Sequence, residues 1–190
     1  MQGMVLKSTG SWYLVQDAQK KQWTCRIRGK IRLQGLRTTN PIAVGDIVDF
    51  EQQGELDDQG VIDRIHDRKN YIIRKSVNLS KEAHIVASNL DQALLFITLK
   101  KPSTSTGFVD RFLVTAEAYS IPVVLVFNKV DIYDESAMDE MAAWREIYGS
   151  IGYESVVTSA VEAIGLEEVK ALLDHKVTLL SGHSGVGKST

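Results

Sequence analysis

SGHSGVGKST, residues Ser181 to Thr190, closes the sequence and decides how the rest is read. Gly182-x-x-x-x-Gly187-Lys188-Ser189 fits G-x-x-x-x-G-K-[ST], a phosphate-binding P-loop. Its glycines accept dihedrals forbidden to other residues, so the backbone can wrap an anion closely. Successive N–H groups then point at the phosphates. The candidate nucleotide contacts are Gly182, His183, Ser184, Gly185, Val186, Gly187, Lys188, Ser189 and Thr190. Lys188 is expected to reach the β- and γ-phosphates and Ser189 to offer its hydroxyl to Mg²⁺, so these two carry the chemistry. VTLL, just before, reads as the strand that should feed the loop.

Working back toward the start, the stretch from about residue 89 alternates strand and helix. QALLFITL, IPVVLVF, YESVVTSA and VTLL are strands; VDRFLVTAEAY, DESAMDEMAAWREIYG and GLEEVKALL have helical spacing. Continuous apolar strands between helices predict a parallel sheet covered on both faces. Two further short patterns sit at strand ends. Asn128-Lys129-Val130-Asp131 follows IPVVLVF and has the N-K-x-D form of a guanine-reading loop. The Asp131 carboxylate can accept from both N1–H and the exocyclic amine of guanine. Adenine presents neither donor, and polar pairing of this kind discriminates by roughly 10⁴-fold. Thr158-Ser159-Ala160 follows YESVV; there Ser159 and Ala160 form a short S-A element that lends a backbone N–H to the guanine oxygen.

In open α/β sheets ligands bind beyond the carboxyl ends of the strands, so three such loops can meet at one nucleotide. Their order is unusual: the base-reading loops come first and the P-loop last. A sheet does not record the order in which its strands were threaded. The domain therefore reads as circularly permuted.

Residues 1–66 have a different pattern. Alternation in SWYLVQD, QWTCRIRGKIRL, GDIVDFEQ and GVIDRIH predicts a small five-stranded β-barrel, an OB-fold or an SH3-like barrel. Residues 67–88 read as a connecting segment, and 89–190 as the permuted α/β domain. Residues 1–75 hold 13 Lys+Arg against 9 Asp+Glu within a chain of net charge −2, a bias toward an anionic partner for the first part. No apolar run approaches the roughly 20 residues of a membrane helix, and the start lacks a signal peptide. One cysteine, Cys25, excludes an internal disulfide and reads as a buried strand residue. A cytoplasmic protein without membrane contact is expected.

With these motifs in place the sequence resembles the bacterial ribosome small-subunit-dependent GTPase A family, permuted GTPases behind an OB-fold. The resemblance rests on VGDIVDF, IDRIHDRKNYIIRKS, SNLDQALL, GFVDRFLVTAEAYSIPVVLVFNKVDI, TSA and SGHSGVGKST, and covers the whole chain. It implies GTP/GDP with Mg²⁺, hydrolysis when docked on the small (30S) ribosomal subunit, contact with 16S rRNA, and a monomer assisting late subunit maturation. It also implies a D-x-x-G loop after the P-loop and then a zinc-binding Cys/His domain. Neither follows Thr190, so a fragment is expected, inactive in hydrolysis, with Zn²⁺ belonging only to the missing domain.

For the barrel the resemblance implies RNA binding, and the basic candidates are Arg64, Arg68, Lys69, Arg74 and Lys75, with Arg26, Arg28, Lys30 and Arg32 on one strand and turn. Trp12, Tyr13, Trp23 and Tyr71 are stacking platforms or core. Two competing readings stand beside this one. A non-enzymatic RNA-binding adaptor would keep the GTPase motifs as structure only, and an ATPase would share the P-loop but have no use for Asp131.

Overall fold

The computed structural model describes residues 1–29, 41–54, 58–75 and 83–190. It divides into two compact units, Met1–Asn89 and Leu90–Thr190.

The first unit is built on a closed barrel of β1 (Gln2–Thr9), β2 (Trp12–Asp17), β3 (Gln22–Ile27), β4 (Ile47–Gln52) and β5 (Gln59–Ile65), in the order β1-β2-β3-β5-β4. Closure comes from the parallel pairing of β3 with β5 and the antiparallel pairing of β1 with β4. Alternation in the sequence becomes alternation in burial: Tyr13, Val15, Trp23 and Cys25 point inward with Val5, Val48, Phe50 and Ile62. Trp23 donates from its indole N–H to Asp17 at 2.8 Å, so its polar handle is satisfied at the rim. Tyr13 and Trp23 are therefore core, and Trp12, 38% exposed, faces out. Cys25 is buried, and burial pushes its thiol up to about 11.

The segment drawn from the sequence as a connector carries its own hairpin, β6 (Tyr71–Lys75) paired antiparallel with β7 (Ala83–Ser88). It is tied to the barrel through one buried carboxylate. Asp46, fully buried, receives both Nε and Nη2 of Arg68 at 2.6 Å, the Ser88 hydroxyl at 2.5 Å and the Ala43 N–H at 2.9 Å. A third Arg68 bond goes to the Pro41 carbonyl at 3.0 Å.

The second unit is a four-stranded sheet in the order β10-β9-β8-β11, with β8 (Gln92–Ile97), β9 (Val123–Asn128), β10 (Glu154–Thr158) and β11 (Thr178–Ser181) all parallel. β8 and β9 are buried along their whole length, as continuous apolar runs require. One face packs Leu94, Phe96, Val124 and Val126 with Val169, Leu172 and Leu173 of α3 (Leu166–Leu173). Elsewhere in the unit Phe127 meets Trp144 of α2 (Glu135–Ser150) edge-on, at 6.4 Å between ring centres. Both long helices begin on side-chain caps: Ser105 accepts from Phe108 N–H ahead of α1 (Thr106–Ala118), and Asp134 from Ala137 N–H ahead of α2. Among the described residues no helix is long and apolar enough to cross a membrane.

Candidate functional site

Because the four strands run parallel, the loops that leave β8, β9, β10 and β11 emerge at one edge of the sheet. Asn128, the last residue of β9, is 3% exposed and joins three of them. Its amide donates to the Val186 carbonyl in the P-loop at 2.8 Å, and its side-chain oxygen accepts from the Thr158 hydroxyl, at the end of β10, at 2.9 Å. A parallel link ties the other ends of the two base-reading loops: Ser159 donates to one oxygen of Asp131 at 2.5 Å. Ser159 is itself fixed, fully buried, with its backbone paired to Ile164 in both directions. Ala160, the next residue, is half-buried. Val130 opens the short 3-10 turn Val130–Ile132 that presents Asp131.

The P-loop is wound as its glycines predict. Gly182, Gly185 and Gly187 have φ of 138°, 84° and 92°. A Cβ on Gly182 would sit 2.6 Å from the Phe96 carbonyl, and one on Gly187 would collide with the Asn128 amide. Val186, fully buried, plugs the loop into the apolar cluster of Leu94, Phe96, Val124 and Val126. Lys188 reaches back over the loop, donating to the carbonyls of Gly182 at 3.0 Å and His183 at 2.8 Å. That places its ammonium across the loop itself. Ser184, Gly185, Ser189 and Thr190 are exposed. The His183 ring stacks on Phe108 of α1, 4.0 Å between centres, which anchors the loop's first turn.

Lys129 adopts the left-handed conformation, φ 63° and ψ 37°, and so the chain turns sharply out of β9. Its ammonium donates to the Lys101 carbonyl at 2.8 Å, in the loop that leaves β8. That fourth loop was not singled out in the sequence. It closes on itself, with the Thr98 hydroxyl donating to the Pro102 carbonyl at 2.6 Å and Thr104 N–H to the Thr98 carbonyl at 2.8 Å. Tyr133 joins it to the base-reading turn: its hydroxyl receives the Leu99 N–H at 2.8 Å and donates to the Asn128 carbonyl at 3.0 Å. Burial pushes the Tyr133 phenol up, so it stays a neutral donor. Nothing in the local pattern points to this tyrosine; one partner lies at the end of β9 and the other in the loop that leaves β8.

The basic residues of the first unit separate by environment. Arg64 and Lys69 are exposed. Arg68 is committed to Asp46, with 9% of its side chain accessible, and has little left to offer a partner. Arg28 hydrogen-bonds Glu51 and ion-pairs with Asp63, and Arg26 lies 3.8 Å over the Trp12 ring. The side chains of Arg74 and Lys75, and the whole of Lys30 and Arg32, lie outside the described residues. Among the described residues no group of three or more His, Cys, Asp or Glu side chains is placed to hold a metal.

The RsgA N-terminal domain model matches residues 2–62 and the RsgA GTPase model residues 65–190. The small ribosomal subunit biogenesis GTPase RsgA of Flavobacterium psychrophilum is 55% identical over 191 residues, covering all of this chain and 59% of that protein. Its counterpart in Phocaeicola vulgatus is 54% identical, again over the whole chain and 61% of the relative. The crystal structure of YjeQ from Thermotoga maritima superposes with a TM-score of 0.78 at 38% identity, over 99% of this chain and 62% of that one. YloQ, described as a circularly permuted GTPase, gives 0.72 at 33%, over 98% of this chain and 61% of its own. The chain thus spans about three fifths of the relatives it matches, and across both of its units it belongs to the RsgA GTPase family.

Proposed function

We propose that this chain supplies the base-reading and phosphate-binding half of a GTPase that acts in maturation of the small ribosomal subunit. The observation that carries the reading is the Asn128 amide, which bonds the P-loop at Val186 while its oxygen takes Thr158. A single residue thereby sets the distance between the base and phosphate ends of one nucleotide. Asp131 reads guanine N1–H and the exocyclic amine, Ala160 N–H reads the guanine oxygen, and the Lys129 stem lies along the ring. The loop from Gly182 to Thr190 takes the phosphates, with Lys188 moving from the Gly182 and His183 carbonyls onto the β- and γ-oxygens. Its fit is physical: a Cβ at Gly185 would meet nothing nearer than Pro102 Cδ at 3.6 Å, so the mouth of the cradle is open. When bound, Mg²⁺ neutralises developing phosphate charge, and the exposed Ser189 hydroxyl is the group of this chain that would hold it.

Phosphoryl transfer depends on positioning and charge stabilisation by several loops at once. These 190 residues alone are therefore expected to hydrolyse GTP no faster than buffer, checked by phosphate release with and without small subunits. The first unit, residues 1–66 above all, serves as the RNA-binding barrel that brings the GTPase to 16S rRNA. The protein works in the cytoplasm as a monomer, and Zn²⁺ belongs to a domain beyond Thr190. Competition binding decides the base. Unlabelled GDP should displace a fluorescent guanine nucleotide from the full-length protein at least about 100-fold better than ADP. Equal displacement refutes the reading.

A further inference from the structure

Tyr133 belongs to none of the motifs that mark the site, yet its hydroxyl bonds two backbone groups at the end of the sheet, the Leu99 N–H and the Asn128 carbonyl. The β8–β9 ladder runs to Ile97 and Phe127 and stops. Leu99 N–H lies two residues past the end of β8, and the Asn128 carbonyl lies where Lys129 turns the chain into the left-handed region. Both residues are buried, Leu99 7% and Asn128 3% exposed, so water is poorly placed to take over. A hydroxyl is suited to the position because it accepts from one group and donates to the other. The same two loops are joined once more by Lys129 to the Lys101 carbonyl.

We propose that Tyr133 is a positioning residue for base recognition, its hydroxyl bracing the Asn128–Asp131 turn against the loop that leaves β8. This rests on the guanine-nucleotide reading above. The β8 loop, closed on itself by Thr98 and Thr104, is the fixed partner. The turn carrying Lys129 and Asp131 is the part held in place. Removing the hydroxyl leaves one buried donor and one buried acceptor unpaired and frees the turn, while Asn128 keeps both of its side-chain bonds to Val186 and Thr158. The loss should therefore fall on the base and spare the phosphates.

Calorimetric titration of the full-length protein with GDP and with inorganic pyrophosphate separates the two ends. Tyr133→Phe should weaken GDP by about 10-fold, the worth of roughly one buried hydrogen bond, and leave pyrophosphate within about twofold. Unchanged GDP affinity would reduce the tyrosine to a space-filler and overturn the proposal. Parallel losses for GDP and pyrophosphate would overturn it too, since they mean general loosening. Should Tyr133→Phe not fold, hydrogen exchange on the wild-type protein decides: GDP should slow exchange of Leu99 N–H at least about 10-fold and leave Val15 N–H unchanged. No selective slowing would sink the idea. If the wild-type protein does not prefer GDP to ADP, the nucleotide reading falls first and this one with it. If the wild type and Tyr133→Phe show the same preference and the same GDP affinity, the tyrosine's role alone falls.

Discussion

Asp46 in the first unit and Asn128 in the second are both polar, both buried, and both centres of hydrogen-bond clusters, but the clusters face different ways. Around Asp46 every bond closes inward: Arg68, Ser88 and the Ala43 amide surround the carboxylate and leave nothing for a ligand. Around Asn128 the bonds hold loops together at the end of the sheet, and Ser159 takes up only one of the two Asp131 oxygens. A sealed network fixes how a hairpin joins a barrel. An open one fixes the spacing of a site. Burial and partner count alone do not distinguish them; what does is whether the bonded groups have surplus donors or acceptors pointing outward.

The sharpest way to break this contrast is Asp46→Ala. If the Asp46 cluster is structural, the variant strands a buried guanidinium, and removal of one partner of a buried ion pair costs about 3–5 kcal/mol. Denaturant unfolding of the first unit should show it, with GDP affinity of the remaining folded protein unchanged. Replacing both partners, Asp46→Leu with Arg68→Met, should return a large part of the loss. A variant as stable as wild type would mean the clamp is ornamental.

Asp131→Asn tests the open cluster. The substitution keeps size and the Ser159 contact but replaces the acceptor facing the base with a donor. GDP binding should weaken by about 100-fold or more, xanthosine diphosphate should gain, and the unfolding midpoint should barely move. Equilibrium titration with both nucleotides checks it. A stability loss on the scale of Asp46→Ala would erase the distinction between the two clusters.

How much of this could be read from the sequence follows the same division. The three loop motifs are contiguous patterns at the ends of strands, so Asn128, Asp131 and Gly182 to Ser189 stand out in the sequence alone. The parallel sheet could be named because β8 and β9 are unbroken apolar runs, and the barrel because Tyr13, Val15, Trp23 and Cys25 alternate. Arg68 was grouped with Arg64 and Lys69 because they are close in sequence and alike in charge. Which of the three is buried depends on Asp46, 22 residues away, and no local rule supplies that pairing. Tyr133 was invisible for the same reason: its two partners meet only once β8 and β9 lie side by side. The hairpin in 67–88 shows in the sequence only as a connecting segment because its alternation is short and a register shift between Ile72 and Ile73 interrupts the pairing.

A smaller effect separates the barrel from the sheet by pH. Cys25 sits in the barrel core with its thiol raised to about 11 by burial, while in the unfolded chain it titrates near the ordinary thiol value of 9.0. The unfolded state therefore loses its proton first, so this stabilisation is complete below about pH 9 and drains away as pH rises through 11. Up to about 3 kcal/mol is at stake. Unfolding of the first unit should become easier over that range, and Cys25→Ala, less stable at pH 7, should show a flatter dependence. An identical slope in both proteins would assign the effect to other groups.

The smallest expected effect addresses the outward face of the first unit. If Arg64 and Lys69 are contacts for an anionic partner and Arg68 is not, the three substitutions should behave differently in the full-length protein. Arg64→Glu and Lys69→Glu should each weaken small-subunit binding several-fold, about 1 kcal/mol, without changing unfolding, and each should lower the slope of log affinity against log salt by about one. Arg68→Glu should instead destabilise the protein, because it sets a second carboxylate against buried Asp46. Binding measured at three salt concentrations, beside denaturation curves, tells these apart. Equal binding losses and equal stabilities for all three would mean that Arg68 leaves its carboxylate to meet RNA. The exposed pair would then have no special claim on the partner.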